Sequence, residues 1–440
     1  MLFASGADLQ TINPLLTVHP LAKQVQKNVL LVTLARYDST LTPQPYFARR
    51  WDWSADRRTL TLHLYGGLRW HDGRPTTARD VVFTLDAARD PATGYPRLSD
   101  FAGVRDLRAT DDTTVVLHFT TPVARFPDVL TDLAIVPAHL LDTVSRAGMR
   151  RAAWNEHPVG NGPFTFVTHE ANRRWVFAAN PDFPPDLGGA PKLERLIVVV
   201  VDEPTTKLAA LAAGDVDFAG INPAHAAFVR RRAGLAVVDY PLLVTYGIVL
   251  NTRRPPFDQL DVRRAVSLAI NRREIVDGYL YGYATPAAGP IPPDLASAAR
   301  PADSLVESPE SARALLHGRR IAFELLTVGS GEAALEQMIQ ARLAAVGFDV
   351  RIRQLELSAY LDRLYGAKHE FDAAVLGIQG DFALGYLSQL ETLAGAPLTR
   401  EPVAFLYHAR GVQGMNRRVT GVRMDLRGEL TTVTRWDVAP

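Results

Sequence analysis

Cysteine is absent from all 440 residues. Its absence removes disulfides, thiolate metal sites, a thiol nucleophile and a lipid-anchored N-terminal cysteine together. Long apolar runs are missing as well. The longest purely aliphatic stretch, Leu196–Val201, falls far short of the roughly 18–20 residues that a membrane-spanning helix needs. Met1-Leu2-Phe3-Ala4 has neither the charged nor the apolar region of a signal peptide. The residues themselves do not show export; an exported chain with this start would be a processed or truncated form, or one whose start lies upstream. Nor is charge of either sign in excess. Lys+Arg 48 against Asp+Glu 47 leaves no net field to draw the chain onto nucleic acid.

Enzyme signatures are thin. There is no G-x-x-x-x-G-K-[ST] phosphate loop, no G-x-S-x-G elbow and no H-E-x-x-H zinc motif; His369-Glu370 begins like the last and lacks its second histidine. His71 and Asp72 form a conceivable dyad, but sequence neighbours rarely face one another, and a turn that fixes Trp70 is the simpler expectation. His63, His71 and His408 show no i, i+3 or i, i+4 spacing and have no cysteine partner, so no protein-built metal site and no cofactor are expected.

What is present is a large chain of average globular composition, 47% hydrophobic and 22% charged, long enough for two or three domains. The most informative segment starts at Thr59. Leu60, Leu62 and Leu64 alternate with polar residues as in a strand, Gly66-Gly67 turns, Trp70-His71-Asp72-Gly73 follows, and Thr77 with Asp80 opens a helix. Farther along, helix and strand alternate. Thr205–Ala213 reads as a helix closed by Gly214, with Val216–Ala219 a strand after it. Asp261 is expected to cap a helix carrying Val262, Ala265, Val266, Ala269 and Ile270, and Asn271 with Glu274 to start the next, burying Ile275, Val276 and Leu280. Then come strand Ile321–Val328, helix Glu332–Val346, strand Phe348–Leu355, helix Ser358–Tyr365 and strand Phe371–Ile378. Such a run implies a mostly parallel sheet whose ligands bind beyond the carboxyl ends of its strands. Pro-rich stretches at Gly289–Pro293 and Arg300–Ala302 read as loops. No internal repeat, low-complexity tract or basic helix-turn-helix segment appears.

The Thr59–Leu85 segment resembles the signature of the family 5 extracellular solute-binding proteins, receptors that feed dipeptides, oligopeptides and sometimes nickel to bacterial ABC importers. Further matches follow in order: Ser5 to Pro14, Pro158-Val159-Gly160-Asn161-Gly162-Pro163-Phe164, Leu211 to Asp217, Tyr246 to Asn251, Arg254 to Asp258, and Val262-Arg263-Arg264-Ala265. The resemblance implies an α/β, two-lobed periplasmic-binding-protein fold (type II, cluster C-like). A first lobe spans residues 1–250, with a small subdomain at about 43–155; a second spans 251–405, and 406–440 return to the first. It implies crossings near Leu250–Arg253 and Phe405–Gly411 and a ligand cleft between the lobes. One departure stands out. Only Phe382–Glu401 connect the strand ending at Ile378 to the segment Pro402–Tyr407, where relatives carry a pair of helices, so the second lobe is expected to lack an outer layer and expose apolar surface. Ile378 also stands where relatives often have tryptophan.

The resemblance implies a non-catalytic receptor, extracytoplasmic and monomeric, whose partners are a short peptide or similar small solute and the permease subunits of an importer, with no nucleic acid. Alternatives are a receptor for nickel chelates or another small solute, a cleft hydrolase and a ligand-sensing regulator. It places Asp381 where peptide-binding relatives pair a carboxylate with the ligand's ammonium; a surface cap is the competing role. Tyr246 is expected to stack on the ligand or to be a core tyrosine. Asn161 and Gly162, and Asn13 with Thr11, lie in turns that either approach the ligand or simply turn. Arg342 and Arg353 are weaker candidates for a ligand carboxylate, since arginines on helices and edge strands are usually solvated.

Overall fold

The computed structural model describes residues 1–17, 19–295 and 306–439. The loop expected at Arg300–Ala302 lies outside the described residues. The chain forms two compact units, residues 1–238 with 413 onward, and residues 239–412.

Unit 1 begins with strand β1 (Leu2–Ser5). A four-stranded antiparallel sheet follows, built from β2 (Ala48–Trp53), β3 (Thr59–Leu64), β4 (Val104–Asp111) and β5 (Thr114–Phe119) in the order β2-β3-β5-β4. The leucines of β3 are all buried, as their alternation requires. Helix α1 (Ala78–Arg89) starts at a capping box: the Thr77 amide donates to Asp80 Oδ2 at 2.8 Å, while Asp80 Oδ1 takes the Ala138 amide at 2.9 Å. The main sheet of the unit adds β6 (Phe164–Glu170), β7 (Arg174–Ala179), β8 (Arg195–Val200) and β9 (Phe218–Gly220), with helix α2 (Pro204–Ala213) between the last two. β1 runs parallel to both β8 and β9, so the carboxyl ends of these three strands share one edge. Gly214 closes α2 at φ +84°, where a side chain would be strained. The strand after it starts at Phe218 rather than Val216, because Asp215 and Val216 still donate to Ala210 O, completing the helix end.

The chain leaves unit 1 in β10 (Leu235–Leu250). Unit 2 continues with α3 (Leu260–Ala269), α4 (Pro309–Leu316), β11 (Ile321–Val328), α5 (Ala334–Ala344), β12 (Phe348–Leu355), α6 (Leu357–Tyr365), β13 (Ala373–Gln379) and α7 (Tyr386–Ala394). The chain leaves unit 2 in β14 (Val403–Asn416). β11 is parallel to β12 and β13, the βαβ arrangement its sequence implied, and β13 is antiparallel to β10. One face of this sheet packs Ile248, Val266, Phe323 and Ile339; the other packs Tyr360, Leu364, Tyr386 and Leu390. Gln259, not Asp261, is the residue before α3; the helix opens two residues earlier than expected, leaving Asp261 in its first turn, where a carboxylate suits the helix dipole. Arg263 of that helix is 4% exposed, and its guanidinium donates to the carbonyls of Phe257, Asp258 and Arg400 at 2.8–3.1 Å.

The short Phe382–Glu401 connection still supplies one helix. α7 buries Tyr386, Leu390, Leu393 and Ala394 beside Tyr360 and Leu364 of α6, so the sheet face is covered where the sequence suggested it would be bare. Apolar surface is nonetheless exposed next to it. Leu357, Leu361 and Tyr365 repeat every four residues along the outer stripe of α6.

Candidate functional site

In unit 1 the Pro158–Phe164 motif is a packed joint. An added Cβ would lie 2.1 Å from Leu30 O at Gly160 and 2.6–2.7 Å from backbone atoms of residues 29–31 at Gly162, so only glycine lets the two chains approach this closely. The amides of Asn161 and Gly162 donate to Leu30 O at 3.1 and 2.8 Å, and Asn161 Oδ1 accepts from the Val32 amide at 3.1 Å. Asn13 is equally engaged: its Nδ2 donates to Asn155 Oδ1 at 2.8 Å and its Oδ1 takes the Leu15 amide at 3.0 Å. Asn13 and Asn161 are fully buried, and their hydrogen bonds hold the fold. Thr11 differs. It lines a hollow of about 510 Å³ with Gln10, Asn155, Glu156, His157 and His169, whose mixed charges favour no single class of solute.

In unit 2 Asp381 follows the carboxyl end of β13. Its Oδ1 accepts from the Gly385 amide and its Oδ2 from the Tyr386 amide, both at 3.0 Å, at the N-terminus of α7. The carboxylate is therefore held in one orientation while each oxygen keeps a lone pair, and the residue is only half-buried. Tyr246 lies on the opposite face of the sheet. Its ring covers Gly377, where a Cβ would come within 3.1 Å, and stacks on Tyr407 with centroids 4.8 Å apart. Burial first and the Glu336 carboxylate second push the Tyr246 hydroxyl above its usual pKa; burial, Tyr246, Tyr279 and Glu336 do the same to Tyr407. These phenols thus remain neutral donors. Glu336, buried in the first turn of α5, accepts from Thr327 Oγ1 at 2.6 Å at the carboxyl end of β11. Glu336 and Tyr407 were missed by sequence reasoning; their available signal was position, one just after a parallel strand and the other on the strand beside Tyr246.

The structure does not bring the remaining candidates to either place. Arg342 pairs with Glu274 and Arg353 with Glu324 on the surface. Asp72 pairs with His139 at 2.7 Å and not with His71, whose Nε2 bonds Gly162 O at 3.0 Å. His63 pairs with Asp52 at 2.9 Å, and His408 Nδ1 lies 2.9 Å from Thr245 Oγ1. Among the described residues no group of three or more histidine, aspartate or glutamate side chains could hold a metal ion, and no helix is long and apolar enough to cross a membrane.

Comparison with known proteins gives these positions a context. The solved structure of the ABC transporter substrate-binding protein CtaP from Listeria monocytogenes matches with TM-score 0.87 at 18% identity, covering 100% of this chain and 99% of that one. The oligopeptide-binding protein AppA from Bacillus subtilis, solved with a nonapeptide, matches with TM-score 0.81 at 20% identity, covering 100% and 99%. Such likeness shows the fold, the two-lobed mixed α/β periplasmic-binding type. By sequence the chain is 28% identical over 404 residues to a probable di/tripeptide-binding protein of Pseudomonas aeruginosa, covering 86% of this chain and 75% of the relative. It is 28% identical over 346 residues to a putative ABC transporter peptide-binding protein of Brucella ovis, covering 76% of this chain. The chain spans 64% of the length of that Brucella relative. The model of the bacterial extracellular solute-binding proteins, family 5, matches residues 42–393. The chain belongs to the family 5 bacterial extracellular solute-binding proteins.

Proposed function

We propose that the chain is the substrate-binding component of an ABC importer and takes a short peptide, without catalysing any change in it. Its partners are then a membrane permease and the peptide, and it works outside the cytoplasm as a monomer. The observation that carries the reading is Asp381: a carboxylate beyond the carboxyl end of β13, fixed by two backbone amides, in a family whose relatives are named for peptide binding. A ligand ammonium meets there an acceptor that needs no reorganisation. Of the other candidates, Tyr246 spends no side-chain hydrogen bond on the described residues, and Thr11, whose Oγ1 accepts the Asn13 amide at 3.1 Å, keeps its hydroxyl proton at the hollow; these two are proposed as accessory contacts.

The test is a double cycle. Asp381→Asn should weaken a free dipeptide by about 2–5 kcal/mol, the cost of leaving a desolvated charge unpaired, and should barely change the already poor binding of its N-acetyl analogue. A coupling below about 0.5 kcal/mol removes Asp381 from the site. Native mass spectrometry of the purified protein identifies any co-purified solute, and hydrolysis of a bound peptide during the same titration would return the hydrolase alternative.

A further inference from the structure

The chain contains only five lysines. Lys23 and Lys27 pair with Asp132, Lys368 pairs with Glu370, and Lys192 is exposed. Lys207 is different. It is 9% exposed, yet its Nζ makes no hydrogen bond or ion pair with any described residue. It sits in the first turn and a half of α2, where the helix dipole is unfavourable to a cation. Burial lowers its pKa, and the carboxylates of Asp202 and Glu429, neither within ion-pair reach, only partly oppose that. An apolar side chain of similar length would sit there at less cost.

Its surroundings point outward. Nζ lies beside Gly6, just past the end of β1, and a Cβ on Gly6 would come within 3.1 Å of it. Gly6 is exposed and its φ is not in the left-handed region, so glycine is not required there by backbone conformation. What glycine does is leave the ammonium uncovered. Close by in the same sheet, Gln413 pairs with Gly220 at the end of β9. Its Nε2 donates to Glu429 Oε1 at 3.3 Å, and its Oε1 is buried with no hydrogen-bond partner among the described residues. A cation without a hydrogen-bond partner and an orphaned acceptor therefore lie along one sheet edge, at the carboxyl ends of β1 and β9, where parallel sheets take their ligands.

We propose that Lys207 is the carboxylate-binding residue of unit 1, receiving a carboxylate of the solute over Gly6, with Gln413 Oε1 accepting an adjacent ligand N–H. This rests on the peptide reading and deepens it, since it names the group of the peptide that unit 1 takes. The carboxylate has two sources, the peptide C-terminus or an acidic side chain.

The test is calorimetric titration of the wild-type chain, Lys207→Met and Gly6→Val with two probe pairs: Ala-Ala against Ala-Ala-amide, and Ala-Glu-Ala-amide against Ala-Gln-Ala-amide. Both variants should weaken the peptide bearing the bound carboxylate about 30-fold or more, the loss expected on removing one partner of a buried charge pair. The neutral probe of that pair should bind weakly to every protein alike. Loss confined to the first pair assigns the C-terminus, and loss confined to the second assigns a side chain. Ala-Ala and Ala-Glu-Ala-amide both binding Lys207→Met within twofold of wild type overturns the proposal. Gly6→Val keeps the lysine, so a parallel loss in it excludes misfolding around a missing cation. If the wild type binds no peptide, the peptide reading fails, and the site is tested alone. Lysines labelled by reductive ¹³C-methylation give five resonances, Lys207 being the one absent from Lys207→Arg. Succinate should shift that resonance saturably and leave the other four in place; no shift overturns the site.

Discussion

Arg263 in unit 2 and Lys207 in unit 1 are both cations withdrawn from water, and the two units treat them in opposite ways. Arg263 spends its guanidinium on the carbonyls of Phe257, Asp258 and Arg400, tying the start of α3 to the turn before β14. Lys207 makes no such bond to any described residue. A buried donor whose partners are all supplied by its own unit is scaffolding, because desolvation has already been offset inside the fold. A buried donor with none has had its partner left to something else. The same contrast separates Asn161, buried and bonded to its own unit, from Asp381, which is oriented by two amides and still has acceptor capacity.

Four measurements sharpen or break that contrast. The largest effect is expected at Arg263. Arg263→Met orphans three carbonyls at about 1–3 kcal/mol each, so a loss of roughly 3 kcal/mol or more is expected, a fall in Tm on the order of 6–12 °C for a unit of this size. A change under a degree would mean the carbonyls find water and the guanidinium is not scaffolding.

His408 comes next. Burial lowers its pKa to about 4, beside Thr245. The folded chain then holds it neutral, while the unfolded chain protonates it near pH 6.5. Above pH 6.5 the group is silent; as pH falls from 6.5 toward 4 only the unfolded state gains the proton, and stability drops. Between pH 7 and 5 this amounts to roughly 2 kcal/mol. Denaturant titrations should show that the difference between those two pH values shrinks by that amount in His408→Leu. An unchanged difference assigns the acid sensitivity elsewhere.

Asp381→Ala should cost about 1 kcal/mol of stability through the lost helix N-terminal contacts, alongside its larger effect on ligand. A ligand effect no greater than the stability effect would make Asp381 a cap and nothing more. The smallest change is expected for Lys207→Met without ligand: no loss, or a gain of up to about 1 kcal/mol, since an apolar group replaces an unpaired cation. A loss as large as that of Arg263→Met would abolish the comparison, because Lys207 would then be scaffolding too.

Local periodicity made much of unit 2 legible. Ile321–Val328 and Phe348–Leu355 fall at the bounds expected of them, the second directly after Gly347. Boundaries set by distant partners were not legible. Two competing caps, Gln259 and Asp261, stand within three residues, and the carbonyls that Arg263 binds lie as far away as residue 400. The wide turns at Gln26–Leu30 and Ile275–Tyr279 bury the same residues an α-helix would, so spacing alone could not reveal them. The site shows the same division. Asp381 was visible through its resemblance to relatives, but not the two amides that orient it. Lys207 read as an ordinary member of an amphipathic helix, since neither its burial nor the absence of a partner is written in neighbouring residues.

The division of unit 1 into two separated stretches of chain has a consequence for biosynthesis. β9 is complete once Gly220 is made, but its partner in β14 begins at Gln413, and Trp436, stacked 5.1 Å from Phe218, comes later still. All of residues 239–412 must be translated in between. At about 5–20 residues per second that interval lasts roughly ten to forty seconds. Throughout it the nascent unit presents β9 as an unpaired edge and Phe218 without its tryptophan, a surface open to mispairing. Unit 2, whose strands and helices are contiguous, can fold as it emerges, so the part of the protein made first is the last to be finished.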